Sequence, residues 1–187
     1  MPRITITAIA LSLGFATSAG AAGFELGSAD IKPNATITNK HVFKGFGCDG
    51  ENVSPALAWK SAPKDTKSFA LLVHDPDAPT GGAGWWHWLV INLPASAKGL
   101  PKNAGKADGS GLPAGASQIR TDFGGPGWGG PCPPVGDEAH RYVFTVYALK
   151  TDKLEVPKDA TASLAGFLVN ANAIGKASLV GKYGRSR

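Results

Sequence analysis

Two apolar runs joined by a glycine-rich crossing constrain this chain more than any other feature. Phe69-Ala70-Leu71-Leu72-Val73 delivers His74 and Asp75 into a turn of Pro76, Asp77 and Pro79. Gly81, Gly82 and Gly84 then lead to Trp85-Trp86-His87, and Trp88-Leu89-Val90-Ile91-Asn92-Leu93 carries the chain away. Both runs are short, rich in β-branched or aromatic residues and bounded by Gly and Pro, the pattern of buried strands. Asp75 closes the first strand and His87 opens the second. Antiparallel pairing would bring a carboxylate and an imidazole together at one end of a sheet.

The rest of the composition agrees with a β domain. A chain of 187 residues is long enough for one domain with a real core. Charged residues make up 18%, while Gly (25) and Pro (14) are plentiful, which favours strands joined by turns over a helical bundle.

Residues 1–21 read as a signal peptide. Arg3 supplies the positive start, Ile4 to Phe15 the apolar stretch, and Ala19 and Ala21 the small residues before a cleavage point. The stretch is too short and wrongly flanked for a membrane span. No cysteine follows it to take a lipid anchor. The expectation is therefore a soluble, periplasmic or secreted protein with a single domain over residues 22–187.

The net charge is +5, or +4 without Arg3, the one charged side chain before residue 22. Lys and Arg are scattered, with no two adjacent and no interleaved aromatics. That describes a solvated surface and argues against a nucleic-acid partner. The one basic cluster is Lys182-Tyr183-Gly184-Arg185-Ser186-Arg187. Two cysteines in an exported protein suggest a disulfide between Cys48 and Cys132, with two free thiols as the alternative.

Along the mature chain, Phe24 to Ile31, Ala35 to Thr38 and Ala56 to Trp59 read as short strands. Lys44 to Asn52 reads as a compact loop, and Pro94 to Ser117 as a long surface crossover. His140 to Leu149 alternates as a long strand, with Tyr142, Phe144, Val146 and Ala148 on one face. One helix is expected, capped by Asp159 or Thr161, with Leu164, Phe167, Leu168, Ala171 and Ile174 on its apolar stripe and Gly175 as its stop. Ala177 to Tyr183 reads as a last strand. His74 should face away from Asp75, and His41 reads as a surface or loop residue.

Chemistry concentrates at strand ends. The loop Gly129 to Gly136 combines prolines, which stiffen the backbone and remove amide donors, with glycines, which admit close approach. It leads to His140, which opens a strand as His87 does. Two such histidines, one carboxylate and a proline-stiffened rim suit a small preformed polar pocket. An imidazole bonded to Asp75 would be held in one tautomer and donate from its other nitrogen to an anion. Asp75 itself would repel an anion, so it should lie behind a histidine or accept from a protonated ligand oxygen. A metal site lacks HxxxH or CxxC spacing, and a serine hydrolase lacks a GxSxG elbow. Neither metal nor cofactor is expected.

Three separated motifs carry a specific likeness. Asp75-Pro76-Asp77-Ala78-Pro79, Trp86-His87-Trp88, and Gly130-Pro131-Cys132-Pro133-Pro134 followed by His140-Arg141-Tyr142 resemble the phosphatidylethanolamine-binding, or Raf kinase inhibitor-like, family. Cys48 to Pro55 and Gly81 to Trp88 resemble its exported bacterial branch. The likeness covers nearly the whole mature chain. It implies a mainly β fold of a large and a small antiparallel sheet with a few peripheral helices. It also implies an anion pocket formed by Asp75, His87, His140, Pro134 and Tyr142, with Gly130 and Pro131 on the rim. The C-terminal helix that gates the pocket in animal members has no counterpart, since the chain ends soon after its last strand.

The function that follows is an exported, non-catalytic binding protein for a small anionic or phosphorylated ligand, with a protein-binding or inhibitory role. A homodimer is a further expectation from the bacterial branch. The competing reading is a hydrolase or lyase using His87 and His140 as acid and base, which needs a nucleophile the sequence does not offer. A third is a protein-interaction module with a vestigial pocket.

Overall fold

The computed structural model describes residues 23–187. The signal peptide expected over residues 1–21 lies outside the described residues.

Among the described residues ten strands and one α-helix follow in order: β1 (Glu25–Gly27), β2 (Lys44–Gly45), β3 (Cys48–Asp49), β4 (Leu57–Lys60), β5 (Ser68–Asp75), β6 (Trp85–Pro94), β7 (Gly99–Leu100), β8 (Ser117–Gln118), β9 (His140–Leu149), α1 (Ala162–Asn172) and β10 (Ala173–Tyr183). The large sheet runs β10-β9-β5-β6-β8, the small one β1-β4-β7, and β2 pairs with β3 in a hairpin. Every pairing between these strands is antiparallel. The expected large and small antiparallel sheets are both present.

The large sheet is buried on both faces, which is why β5 and β6 read as continuous apolar runs rather than alternating ones. One face packs Phe69, Leu71, Val73, Trp88, Val90, Phe144 and Val146 against Leu57 and Trp59 of the small sheet. The other packs Ala70, Leu72, Leu89 and Ile91 against Ala162, Ala165 and Val169 of α1. The expected alternation of β9 holds: Tyr142, Phe144, Val146 and Ala148 share the first face.

Several local expectations need correction. Among the described residues the helices are one α-helix and a 3-10 turn at Asn39–His41. Thr161 caps α1, accepting from Leu164 N at 3.1 Å, but the buried stripe is Ala162, Ala165, Gly166 and Val169, while Leu164, Phe167 and Ile174 are exposed. Small residues let the helix lie close on the sheet: a Cβ on Gly166 would touch Trp86 and Leu72 at 3.5 and 3.7 Å. The helix stops at Asn172, and the chain passes directly into β10, with a register shift between Ala173 and Gly175. Ala35 to Thr38 contributes only a bridge from Thr36 to Lys182. No helix of the described residues is long and apolar enough to cross a membrane.

Candidate functional site

Asp75 ends β5 and His140 begins β9, the neighbouring strand, so both residues lie at one end of the large sheet. His140 Nδ1–H donates to Asp75 Oδ2 at 2.8 Å, and both residues are buried. Asp75 Oδ1 accepts from the Asp77 and Ala78 amides at 2.8 and 3.1 Å. The carboxylate thus accepts three hydrogen bonds, and it lines the cavity beside His140.

The turn after Asp75 is clamped to β9 by Asp77. Its carboxylate takes Arg141 Nη2 on Oδ1 at 2.6 Å, and Arg141 Nε and N on Oδ2 at 2.9 and 2.8 Å. Those hydrogen bonds hold the Asp77 carboxyl down at about 2, against the opposing effect of its burial.

His87 reaches the same face through a backbone irregularity. On β6 it is the third residue, not the first. Trp88 pairs with Val73 and Trp86 with His74, so His87 is an extra residue opposite one step of β5. This bulge turns His87 to the side of Asp75 and Tyr142, while Trp86 and His74 stack on the other side with ring centroids 4.2 Å apart. His74 does face away from Asp75, and its Nε2 lies 3.0 Å from the Ala83 carbonyl.

Gly129 fixes the protonation pattern of His87. Its N–H donates to the His87 carbonyl at 2.9 Å, and its own carbonyl lies 2.6 Å from His87 Nδ1. A carbonyl only accepts, so the ring proton sits on Nδ1 and, in the neutral ring, Nε2 is a lone pair. Nε2 is buried without a partner, and so is the Tyr142 hydroxyl. The two rings meet edge to face at 5.0 Å. Burial pulls His87 from the ordinary 6.5 to about 4 and pushes the Tyr142 phenol upward, so the first is neutral and the second protonated near pH 7. The expectation that an imidazole held through one nitrogen donates to an anion from the other is therefore corrected: with Nδ1–H given to the Gly129 carbonyl in His87 and to Asp75 in His140, Nε2 of the neutral ring accepts.

Asp75, His87, His140 and Tyr142 line a cavity of about 220 Å³, walled by Phe46, Ala78, Pro79, Trp85, Phe123, Pro133 and Pro134. Of the residues named from sequence, Gly130 and Pro131 do not line it. They are buried behind the wall: Gly130 N–H donates to Asn52 Oδ1 at 2.8 Å, and the Pro131 carbonyl accepts from Phe43 N at 3.0 Å. The cavity loop is further tied by Arg185 Nε to the Pro133 carbonyl at 2.6 Å and by the Cys48–Cys132 disulfide. The disulfide fastens the β2–β3 hairpin, whose tip residue Phe46 is 70% exposed at φ 52° and stacks on Phe123 at 6.0 Å.

Phe46, Phe123 and Gly129 went unrecognised as site residues. The one available signal was an aromatic flanked by glycines, Gly45-Phe46-Gly47, beside a cysteine. His41, expected as a surface or loop residue, lies in the short 3-10 turn Asn39–His41 and is buried, with Nδ1 2.6 Å from the Val53 carbonyl. Among the described residues no three His, Cys, Asp or Glu side chains gather as a metal-ligating set.

The family model described as phosphatidylethanolamine-binding protein matches residues 27–184. The UPF0098 protein YbcL of Escherichia coli is 52% identical over 172 residues, 91% of this chain and 93% of its own. The crystal structure of E. coli YbcL, described as a member of the mammalian PEBP family, superposes with a TM-score of 0.84 at 51% identity, covering 87% of this chain and 99% of that one. A protein described as "Putative lipoprotein LppC" from Mycobacterium tuberculosis is 39% identical over 138 residues, 74% of this chain and 63% of its own.

Proposed function

Because this chain belongs to the phosphatidylethanolamine-binding protein family, we propose that it is a non-catalytic binding protein whose cavity receives a small anionic or phosphorylated group. The observation that carries the reading is the pair of buried, unpartnered polar atoms, His87 Nε2 and Tyr142 OH, at a cavity that also holds His140. Leaving such atoms unmade costs about 1–3 kcal/mol each, a cost a guest repays. Asp75, His87, His140, Pro134 and Tyr142 contact the guest. Gly130 and Pro131 shape the wall from behind.

Extracytoplasmic residence accompanies this reading, with residues 1–21 as the removed leader and residues 22–187 as the working domain. A disulfide closing across the cavity rim suits an oxidising compartment. Any inhibitory partner would then be met outside the cytosol.

The hydrolase reading gains nothing from the lining residues. Cys132 is spent in the disulfide, and the Thr80 hydroxyl donates to the Gly84 carbonyl at 3.0 Å. Calorimetric titration with inorganic phosphate and phosphoethanolamine, run beside a broad hydrolase screen, tests the proposal. Saturable binding weakened by His87→Ala is expected. Turnover that His87→Ala abolishes would replace it with the enzyme reading.

A further inference from the structure

The cavity is an unusual receptor for an anion, because its lining offers few donors and no cationic side chain of Lys or Arg. Pro79, Pro133 and Pro134 have no N–H to give, and the Asp77 and Ala78 amides are spent on Asp75 Oδ1. The two unpartnered buried atoms are of opposite kinds. The Tyr142 hydroxyl can donate, whereas His87 Nε2, with its ring proton held on Nδ1 by Gly129, can only accept.

We propose that the cavity takes its guest in singly protonated form: the monoanion of phosphate or of a phosphate monoester, whose remaining P–O–H donates to His87 Nε2 while an unprotonated oxygen accepts from the Tyr142 hydroxyl. This rests on the anion-binding reading above and names the protonation state and ester class it selects. A dianion would bring a second negative charge up to Asp75 in a lining without Lys or Arg, and would leave Nε2 facing an oxygen lone pair. A monoanion satisfies both orphan atoms and halves the charge brought into a low-dielectric site. A phosphodiester has no P–O–H and cannot make the second bond. The lowered affinity of His87 for protons, due to its burial, keeps Nε2 unprotonated over the range in which phosphate monoesters lose their last proton.

Other titratable groups surround this site and act on every anion alike. Asp75 approaches from β5, with His74 on the opposite face of that strand. His140 and Tyr142 come from β9, with Tyr183, Asp77 and Arg185 acting on Tyr142, and Asp122 comes from the loop that binds the Trp86 amide. His140 Nε2 also lies 3.5 Å from Asp137 Oδ2. Sulfate, which carries no proton between about pH 5 and pH 9, reads their combined influence and serves as the internal control.

The test is an NMR titration of the tryptophan and histidine side-chain resonances of the full mature chain with four probes: inorganic phosphate, phosphoethanolamine, glycerophosphoethanolamine and sulfate. At about pH 5.5, phosphate and phosphoethanolamine are expected to bind at least about tenfold more tightly than sulfate or the diester, since both hold a P–O–H there. Above the second ionisation, near pH 6 for monoesters, their affinity should fall about tenfold per pH unit relative to sulfate. Phosphoethanolamine binding more tightly than phosphate marks a head group as the source, and the reverse marks free phosphate; either supports the proposal. Sulfate or glycerophosphoethanolamine binding within about threefold of phosphate, or a pH profile parallel to that of sulfate, overturns it and leaves the anion cavity standing. Failure of all four to bind removes the anion cavity and this inference together.

Discussion

His140 Nδ1 and Asp75 Oδ2 lie 2.8 Å apart, both residues buried, joining the start of β9 to the end of β5. This bond ties together the ends of two adjacent interior strands that line the cavity. Replacing Asp75 with Asn sets an amide donor against the His140 Nδ1–H, or else forfeits the two turn amides. A loss of about 2–4 kcal/mol is expected. Urea unfolding at pH 7 reads it, and a loss below about 0.5 kcal/mol contradicts the assigned role.

His87 should give stability a pH dependence. Its folded value, about 4, is depressed by burial below the ordinary 6.5. The unfolded chain therefore binds more protons between those values, so stability rises with pH through the window and is complete above it. The span amounts to about 3 kcal/mol lost as pH falls from about 6.5 to 4. In His87→Asn, which retains a donor toward Gly129, the slope across this window should flatten relative to the parent. Parallel curves for the two proteins would rule out a buried neutral His87.

The disulfide closes a loop with a sequence separation of 84 between Cys48 and Cys132. Chain-entropy arithmetic sets an upper figure of about 4–5 kcal/mol for its contribution. The double variant Cys48→Ala, Cys132→Ala should lower the urea midpoint and weaken ligand binding, because the hairpin carrying Phe46 is no longer fastened to the cavity loop. Intact mass spectrometry should show a two-proton gain on reduction of the parent. Absence of that gain refutes the bridge.

Gly130 acts by packing. A Cβ there would run into the His41 carbonyl and lie 2.6 Å from Phe43 N. Gly130→Ala is expected to cost about 2 kcal/mol or more, by overpacking against backbone that cannot yield. Thermal unfolding measures it; a variant as stable as the parent would restore Gly130 to the open rim.

The site was partly readable in advance, and the reasons differ from residue to residue. Asp75 and His140 were legible because each sits where an apolar run meets a turn, and strand ends in a buried sheet converge. Thr161 was legible as a cap because that chemistry is local. His87 was located in sequence, but what turned it to the right face was not. By simple alternation from Trp88 it would lie with His74, and only the bulge brings it round. The stripe of α1 was misread because periodicity weighs large apolar side chains, whereas a helix lying close on a sheet buries its small ones. The burial of His41 was not legible because a lone polar residue gives no sign of the carbonyl that satisfies it inside.

The amino-acid order alone determined the two-sided burial of the central strands, the turns that bound them and the family motifs. Those are properties of short segments, set by hydrophobic patterning and by the restricted backbones of Gly and Pro. The three-dimensional fold alone decided which ring nitrogen of His87 carries the proton, and so that the other nitrogen of the neutral ring is an acceptor. That choice depends on the carbonyl of Gly129, 42 residues away in the chain, which meets the imidazole only when the loop folds back over the bulge.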